Sequence, residues 1–286
     1  MTRLQSEDIS DIVPQLKAYD EELFSKTGHS LRQIACHAVG QKENDARGII
    51  SGLRVGIVPI RWGQGVITGF GEATAGILRH LGFNATVTGH SDISGLAEAY
   101  EKKADVVFLS DDNDFVALNV ISRQAVHNAE ATGKGFAAGL DLMAGGLGNQ
   151  KVLVLGCGAV GRAAALTLLR FGAAVSIYDT NAGYAMAFKR ALSGQESDRI
   201  KIESDFDAAL DGHSLVVDAT NAAGIIHAKD ISPQTFIAAP GMPLGLSREA
   251  ENKVSDRILH DPLQIGVATM GMEIVRQISH EELTKK

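Results

Sequence analysis

One segment limits what this chain can fold into more than any other. Residues 151–179, KVLVLGCGAVGRAAALTLLRFGAAVSIYD, run from an apolar strand through a G-x-G-x-x-G turn into a helix of small residues, then into a second strand that stops on an acid. A strand, a glycine turn and a helix inside one βαβ unit form the cradle of a dinucleotide. The glycines have separable tasks: Gly156 makes the tight turn, Gly158 lets backbone approach a pyrophosphate, and Gly161 lets helix and strand meet. Cys157, Ala159 and Val160 complete the loop and leave the phosphates at a helix N-terminus, where free N–H groups favour anions. Cys157 reads as a small residue at a variable position, since the loop supplies no neighbouring base to activate a thiol.

Asp179 ends the next strand, 18 residues after Gly161. A carboxylate there accepts hydrogen bonds from both ribose hydroxyls of NAD and repels the 2′-phosphate of NADP. No Arg follows it in DTNAGY, so NAD is the expected cofactor. The other reading is a nucleotide-free domain of the same shape. Further on, VVDATNAAG (216–224) fits the loop after a fourth strand, with Ala219, Thr220 and Asn221 placed to meet ribose and nicotinamide. Asp218 reads equally as a cofactor contact or a strand-end cap.

The motif begins past the middle of the chain, which leaves about 150 residues to explain. At 286 residues there is room for two domains, expected as 1–148 and 149–286. SEDISDIVPQLKAYDEELFSK reads as one helix capped by Ser6 and bent at Pro14, and SLRQIACHAVG as a second, with Ser30 and Gln33 at the capping-box spacing and Gly40 closing it. QKENDARGIISG is polar and reads as a loop. Strand and helix then alternate from RVGIVPI to ADVVFLS as a βαβαβ unit, and 121–146 reads as helix with a break at Gly133 and Gly135. Strands are expected near 151–155, 174–178, 200–203, 214–218, 236–239 and 257–260, with a long helix from about Leu263. The fold class is α/β: N-terminal helices with a small α/β substrate domain, then a Rossmann domain.

Composition narrows the partners. A net charge of -7 and scattered Lys and Arg offer no footprint for nucleic acid. No apolar run approaches the ~20 residues of a membrane span, and MTRLQSEDIS lacks the basic and apolar regions of a signal peptide; a cytoplasmic protein is expected. Two cysteines without a C-x-x-C pair, and nine histidines without H-E-x-x-H, support neither disulfides nor a metal.

The run Asp111, Asp112, Asn113, Asp114 follows the strand ADVVFLS, at the kind of strand end where an open α/β sheet places its ligands. Each acid alone reads as a solvated turn that caps the next element. As a set, carboxylates facing a nicotinamide would bind a cationic amine and could take an ammonium proton before hydride leaves the adjacent carbon. PIRWGQG (59–65) is a second candidate wall: Trp62 is a substrate platform or a packing residue, and Arg61 a carboxylate ligand or an exposed cation.

The chain resembles the PylD family, the pyrroline-ring-forming dehydrogenases of pyrrolysine biosynthesis. The likeness runs from LQSEDI through TGHSLRQIACHAVG, VGIVPI and DISGLAEAYEKKADVVFLSDDNDFVALN to PGMP and DPLQIGVATM, and SDDNDFVALN and the last segment are its most specific parts. The resemblance implies an NAD-dependent oxidation of lysine-Nε-3-methylornithine, with loss of ammonia and closure of the pyrroline ring. It implies that the first Asp of the DD pair, Asp111, and a Leu near the N-terminus, Leu4, bind substrate, and that the protein is a homodimer; within such a site Asp111 is expected to orient and deprotonate an ammonium group. Where members of that family carry a Thr-Ser pair and an Asn in the first-strand turn, this chain has Arg61, Trp62 and Gln64. An indole in place of a small hydroxyl alters pocket volume and hydrogen bonding, so Trp62 and Gln64 join Asp112 and Asn113 as candidate substrate contacts.

Two rivals stand beside this reading. One is another two-domain NAD(P) oxidoreductase, shikimate-dehydrogenase-like or dipicolinate-synthase-like; the lack of a Lys in the strand-end turns of the first βαβαβ unit argues against a shikimate enzyme. The other is a non-catalytic NAD-sensing module, which would need no polar pocket opposite the nicotinamide.

Overall fold

The computed structural model describes residues 4–284. Four helices come first: α1 (Ser6–Ile9), α2 (Ile12–Thr27), α3 (Leu31–Val39) and α4 (Glu43–Ile50). Three of them differ from expectation. The helix expected across 6–26 is broken at Ser10 and Asp11, and Pro14 lies in the first turn of α2, where its missing N–H has no intrahelical partner to lose. Gln5 rather than Ser6 precedes α1, its N–H donating to Asp8 Oδ2 at 2.7 Å. The expected loop at 41–52 is α4: Ala46 and Ile50, four residues apart, are buried, and Arg47 pairs with Glu43 at 2.8 Å. Packing on the rest of the chain stabilises this helix, since Gly48 within it weakens the local signal. The α3 capping box forms as expected, with Ser30 Oγ accepting from the Gln33 N–H and Gly40 in the left-handed region at φ 70°.

The first sheet contains β1 (Arg54–Pro59), β2 (Asn84–Val87), β3 (Val106–Ser110), β4 (Phe115–Asn119) and β5 (Gln124–His127), in the order β2-β1-β3-β4-β5. Helices α5 (Phe70–His80) and α6 (Asp92–Glu101) make the two parallel crossovers, while β3, β4 and β5 form an antiparallel meander. The meander replaces part of the helix expected from 121. Its signal is alternation: Phe115, Ala117 and Asn119 are buried, and Val116 and Leu118 between them are only half-buried.

Helix α7 (Asn128–Met143) then runs unbroken through Gly133 and Gly135. Both glycines are sites of close approach. A Cβ on Gly133 would overlap the carbonyl oxygen of Val160, and one on Gly135 would stand 2.5 Å from both Ile265 Cγ2 and Thr269 Oγ1. We expect Gly133→Ala to lower stability by about 1–3 kcal/mol, because backbone on the facing helix must move; a thermal melt equal to the parent's would contradict that packing.

The second sheet is wholly parallel: β6 (Lys151–Leu155), β7 (Ala174–Tyr178), β8 (Ile200–Ile202), β9 (Leu215–Asp218), β10 (Phe236–Ala238) and β11 (Ile258–Leu259), in the order β11-β10-β9-β6-β7-β8. This is the doubly wound dinucleotide-binding order, with the switch point between β6 and β9. It carries α8 (Ala159–Arg170), α9 (Ala182–Arg190), α10 (Gly194–Asp198), α11 (Phe206–Asp211) and α12 (Arg248–Val254). The last helix, α13 (Gln264–Thr284), packs on α3, α4, α5 and α7. Its residues from Ile265 to Val275 are buried on every side, as a helix enclosed by others must be. One apolar core therefore joins both sheets, from Leu31, Ile77 and Phe108 through Phe136 and Met270 to Val154 and Leu168.

Candidate active site

The C-terminal strand ends of both sheets border one cleft of about 1770 Å³. Its nucleotide end is built on the glycine turn. Gly156 sits at φ 87°, and its N–H donates to Tyr178 O at 2.8 Å. A Cβ on Gly161 would overlap the Gly156 carbonyl oxygen, whereas one on Gly158 would meet nothing within 4 Å. The three positions thus differ in geometry: a left-handed turn at Gly156, a tight contact at Gly161 and an open face at Gly158. Gly156, Gly158, Ala159 and Val160 line the cleft; Gly161 and Cys157 lie outside that lining. The Cys157 thiol is pushed up to about 11 by burial and then by the Asp179 charge, so it is an inert packing group.

Asp179 lines the cleft at the end of β7. Its Oδ2 accepts from the Cys157 N–H at 2.6 Å and its Oδ1 from the Asn181 N–H at 2.8 Å, which holds the carboxylate against the glycine turn. Arg162 and Arg199 line the cleft as well, cations that the stretch after Asp179 gave no reason to expect. Ala219, Thr220 and Asn221 line it from the loop after β9. Asp218 is fully buried beneath that loop, accepting from Thr220 Oγ1 at 2.7 Å and from the Thr220 N–H at 3.2 Å, with its carboxyl pushed up by burial. Of its two readings the strand-end brace is the one its position supports.

At the other end stand Leu4 and the acidic run, all of whose members line the cleft. Asp111 Oδ1 accepts from the N–H groups of Asn113 at 2.8 Å and Asp114 at 2.9 Å. These two donors hold its carboxyl below the usual carboxylate range. Asp111 is thereby a persistent anion and a weak base, suited to holding an ammonium group more than to deprotonating it. Asp112 Oδ2 accepts from the Gln64 N–H at 2.7 Å, and Asp92 Oδ1 from the Arg61 N–H at 2.8 Å, so two carboxylates fasten the turn after β1. That turn keeps Trp62 out of the cleft: the residue is 85% exposed, and the lining passes from Ile60 to Gly65 without it. Trp62 and Gln64 are therefore not brought to the cavity with Asp111, Asp112 and Asn113.

Sequence reasoning missed two groups in the cleft. Asp261, just before α13, accepts from Tyr19 Oη of α2 at 2.7 Å and from the N–H groups of Leu263 at 3.0 Å and Ile265 at 3.2 Å. Burial pushes its carboxyl up, and burial followed by the Asp261 charge pushes the Tyr19 phenol well up. An Asp-Pro pair before a helix was the available signal, but Tyr19 lies 242 residues away. The second group is His127, whose Nδ1 lies 2.6 Å from Asp114 Oδ2.

Residues 8–126 match the model of the pyrrolysine biosynthesis protein PylD, N-terminal domain. The chain carries a PylD N-terminal domain. Residues 125–232 match the alanine dehydrogenase/PNT C-terminal domain, so the PylD domain is followed by a dinucleotide-type fold. Along 272 residues the chain is 29% identical to the pyrrolysine synthase of Methanosarcina acetivorans, covering 94% of this chain and 98% of that one. To the pyrrolysine synthase of Methanosarcina barkeri it is 28% identical, covering 94% and 97%. Among solved structures it is similar to shikimate dehydrogenase from Aquifex aeolicus, with a TM-score of 0.53 and 16% identity over 78% of this chain and 91% of that one. Quinate dehydrogenase from Corynebacterium glutamicum, solved with NAD, gives a TM-score of 0.51 and 11% identity over 81% and 99%. Those two likenesses establish the shared fold.

Proposed function

We propose that this chain catalyses the last step of pyrrolysine biosynthesis, an NAD-dependent oxidation of the terminal amine carbon of lysine-Nε-3-methylornithine with loss of ammonia and ring closure. The observation that carries the reading is the single cleft shared by the open backbone of Gly158 and the carboxylate of Asp111. In this reading residues 1–148 hold the substrate and 149–286 the nucleotide. Bound at Gly156–Val160, Asp179 and Ala219–Asn221, NAD supplies the hydride acceptor. Asp111 holds an ammonium group, Leu4 closes the cleft from the N-terminus, and Asp112 and Asn113 complete the polar wall.

Proximity contributes much of the rate. Once the amine carbon and the second amine are fixed, ring closure is intramolecular, which is worth several kcal/mol of the barrier. Full-length relatives named pyrrolysine synthase support this substrate over a hydroxy acid. A cytoplasmic homodimer belongs to the same reading; no helix among the described residues is long and apolar enough to cross a membrane.

The test is NADH absorbance with purified protein, lysine-Nε-3-methylornithine and NAD or NADP, with the product weighed by mass spectrometry. The expected product has lost ammonia and two hydrogens. NAD should be used in preference to NADP, and Asp179→Ser should narrow that preference by about tenfold, roughly the 1.4 kcal/mol of one ribose contact and one repulsion. Equal use of both cofactors by the parent would place Arg162 and Arg199, rather than Asp179, in control.

A further inference from the structure

The reaction proposed above needs a base that Asp111 does not supply. The amines of the substrate are ammonium groups near neutral pH. An ammonium nitrogen has no free electron pair, so the adjacent carbon cannot release hydride until one N–H proton has gone. Asp111, held as an anion by two backbone donors, binds such a group without removing its proton.

We propose that His127, oriented by Asp114, is the group that takes the proton from the reacting ammonium. The proposal rests on the dehydrogenase reading of the same cleft. Both residues line that cleft beside Asp111, and His127 is the one histidine among the described residues that do so. The β-meander creates the pair: Val116 is in register with His127 across β4 and β5, and Asp114 stands two residues before Val116, on the same face of the strand. Nδ1 of His127 lies 2.6 Å from Asp114 Oδ2, so the ring donates from Nδ1 to the carboxylate and leaves the Nε2 lone pair as acceptor. No other hydrogen bond to the His127 ring occurs among the described residues. A carboxylate behind an imidazole fixes its tautomer and stabilises the imidazolium that forms, as in the serine-hydrolase triad.

Other charged groups of the cleft are already engaged: Asp261 accepts from Tyr19 Oη and from the Leu263 and Ile265 N–H groups, and Glu130 pairs with Lys134. Asp111 and Asp112 of the same turn are engaged by backbone N–H groups. Lys134 of α7 is a cation paired with Glu130 at 2.6 Å and Glu273 at 3.6 Å. In the step, an N–H bond of the ammonium breaks, Nε2–H forms, and the electron pair stays on nitrogen. That pair forms the C=N bond as hydride leaves the carbon for the nicotinamide dinucleotide, the oxidant. Nε2–H then returns its proton to the nitrogen that departs as ammonia, while protons shed in ring closure pass to water.

The experiment compares the parent with His127→Gln and Asp114→Asn, using lysine-Nε-3-methylornithine and NAD across pH 5–9. The parent should gain kcat/KM through a limb near neutrality, the range in which imidazole loses its proton. His127→Gln should lose about 100-fold in kcat together with that limb, with the KM for NAD unchanged. Asp114→Asn should lower kcat as well, since the imidazolium formed in the step loses its counter-charge. A readout without turnover is ¹⁵N-histidine NMR of the protein without NAD, in which saturating substrate should move the His127 Nε2 signal as its lone pair accepts from the bound ammonium. A His127→Gln enzyme with the parent's rate and pH profile, or an Nε2 signal unmoved by substrate, overturns the assignment while leaving the dehydrogenase reading intact. A parent that makes no NADH from this substrate overturns both.

Discussion

In a Gly158→Val protein, thermal unfolding should match the parent's while affinity for NAD falls by about 100-fold, the equivalent of some 2.8 kcal/mol. The backbone at Gly158, φ -71° and ψ -170°, is open to any residue, and a Cβ there meets no atom within 4 Å. The protein therefore has no reason to lose stability. The same open space is the approach to the N-terminus of α8, and an isopropyl group would stand where a pyrophosphate must reach the backbone N–H groups. Gly161→Val should give the reverse signature. Its Cβ would overlap the Gly156 carbonyl oxygen, part of the backbone of the turn, so strand and helix must separate at a cost of about 1–3 kcal/mol or more. Calorimetric titration of NAD beside a melt for each variant separates the two. Equal loss of stability in both would mean that Gly158 is a packing position, and the nucleotide site would have to be sought elsewhere.

The second large effect concerns Asp111→Asn. A charge-assisted hydrogen bond to an ammonium group is worth about 1.5–3 kcal/mol, so substrate affinity should fall by roughly 10- to 150-fold with NAD binding unchanged. The turn should survive, because an amide oxygen can still accept from the N–H groups of Asn113 and Asp114. The sign of the pH dependence follows from the same two bonds. They hold the Asp111 carboxyl below its ordinary range, so it stays charged as pH falls from 7 through the values at which free aspartates protonate. Substrate binding to the parent should persist through that range and weaken only below it. Calorimetry at fixed ionic strength checks both points, and an unchanged affinity in Asp111→Asn would remove Asp111 from the substrate site.

Much of the nucleotide half was legible in the chain because its signals are local. The strand at 151–155, the three glycines, the helix of small residues and the acid at 179 occupy one short stretch, and backbone sterics give each a single workable role. The α3 cap was legible for the same reason, Ser30 and Gln33 being three residues apart. Asp111 was reached from its place at a strand end and Leu4 through the family resemblance, and the fold brings both to the cleft.

Tertiary structure decided what depends on distant partners. Helix α4 has two buried residues and an internal glycine, too little to specify a helix until the rest of the chain covers it. Gly133 and Gly135 look like helix breakers when read locally; they are contact points because α8 and α13 press against α7 there. Trp62 could be placed at a strand end from its neighbours alone, but its direction depends on Asp92 and Asp112 gripping the turn from other segments. His127 met Asp114 only when two strands too short to declare themselves paired in one register, and Tyr19 met Asp261 across nearly the whole chain. The sequence by itself determined the turn, cap and strand that fit within one local unit, since steric exclusion acts between neighbours; packing alone decided which side chains share the cleft, since burial and long-range pairing exist only after the chain has closed on itself.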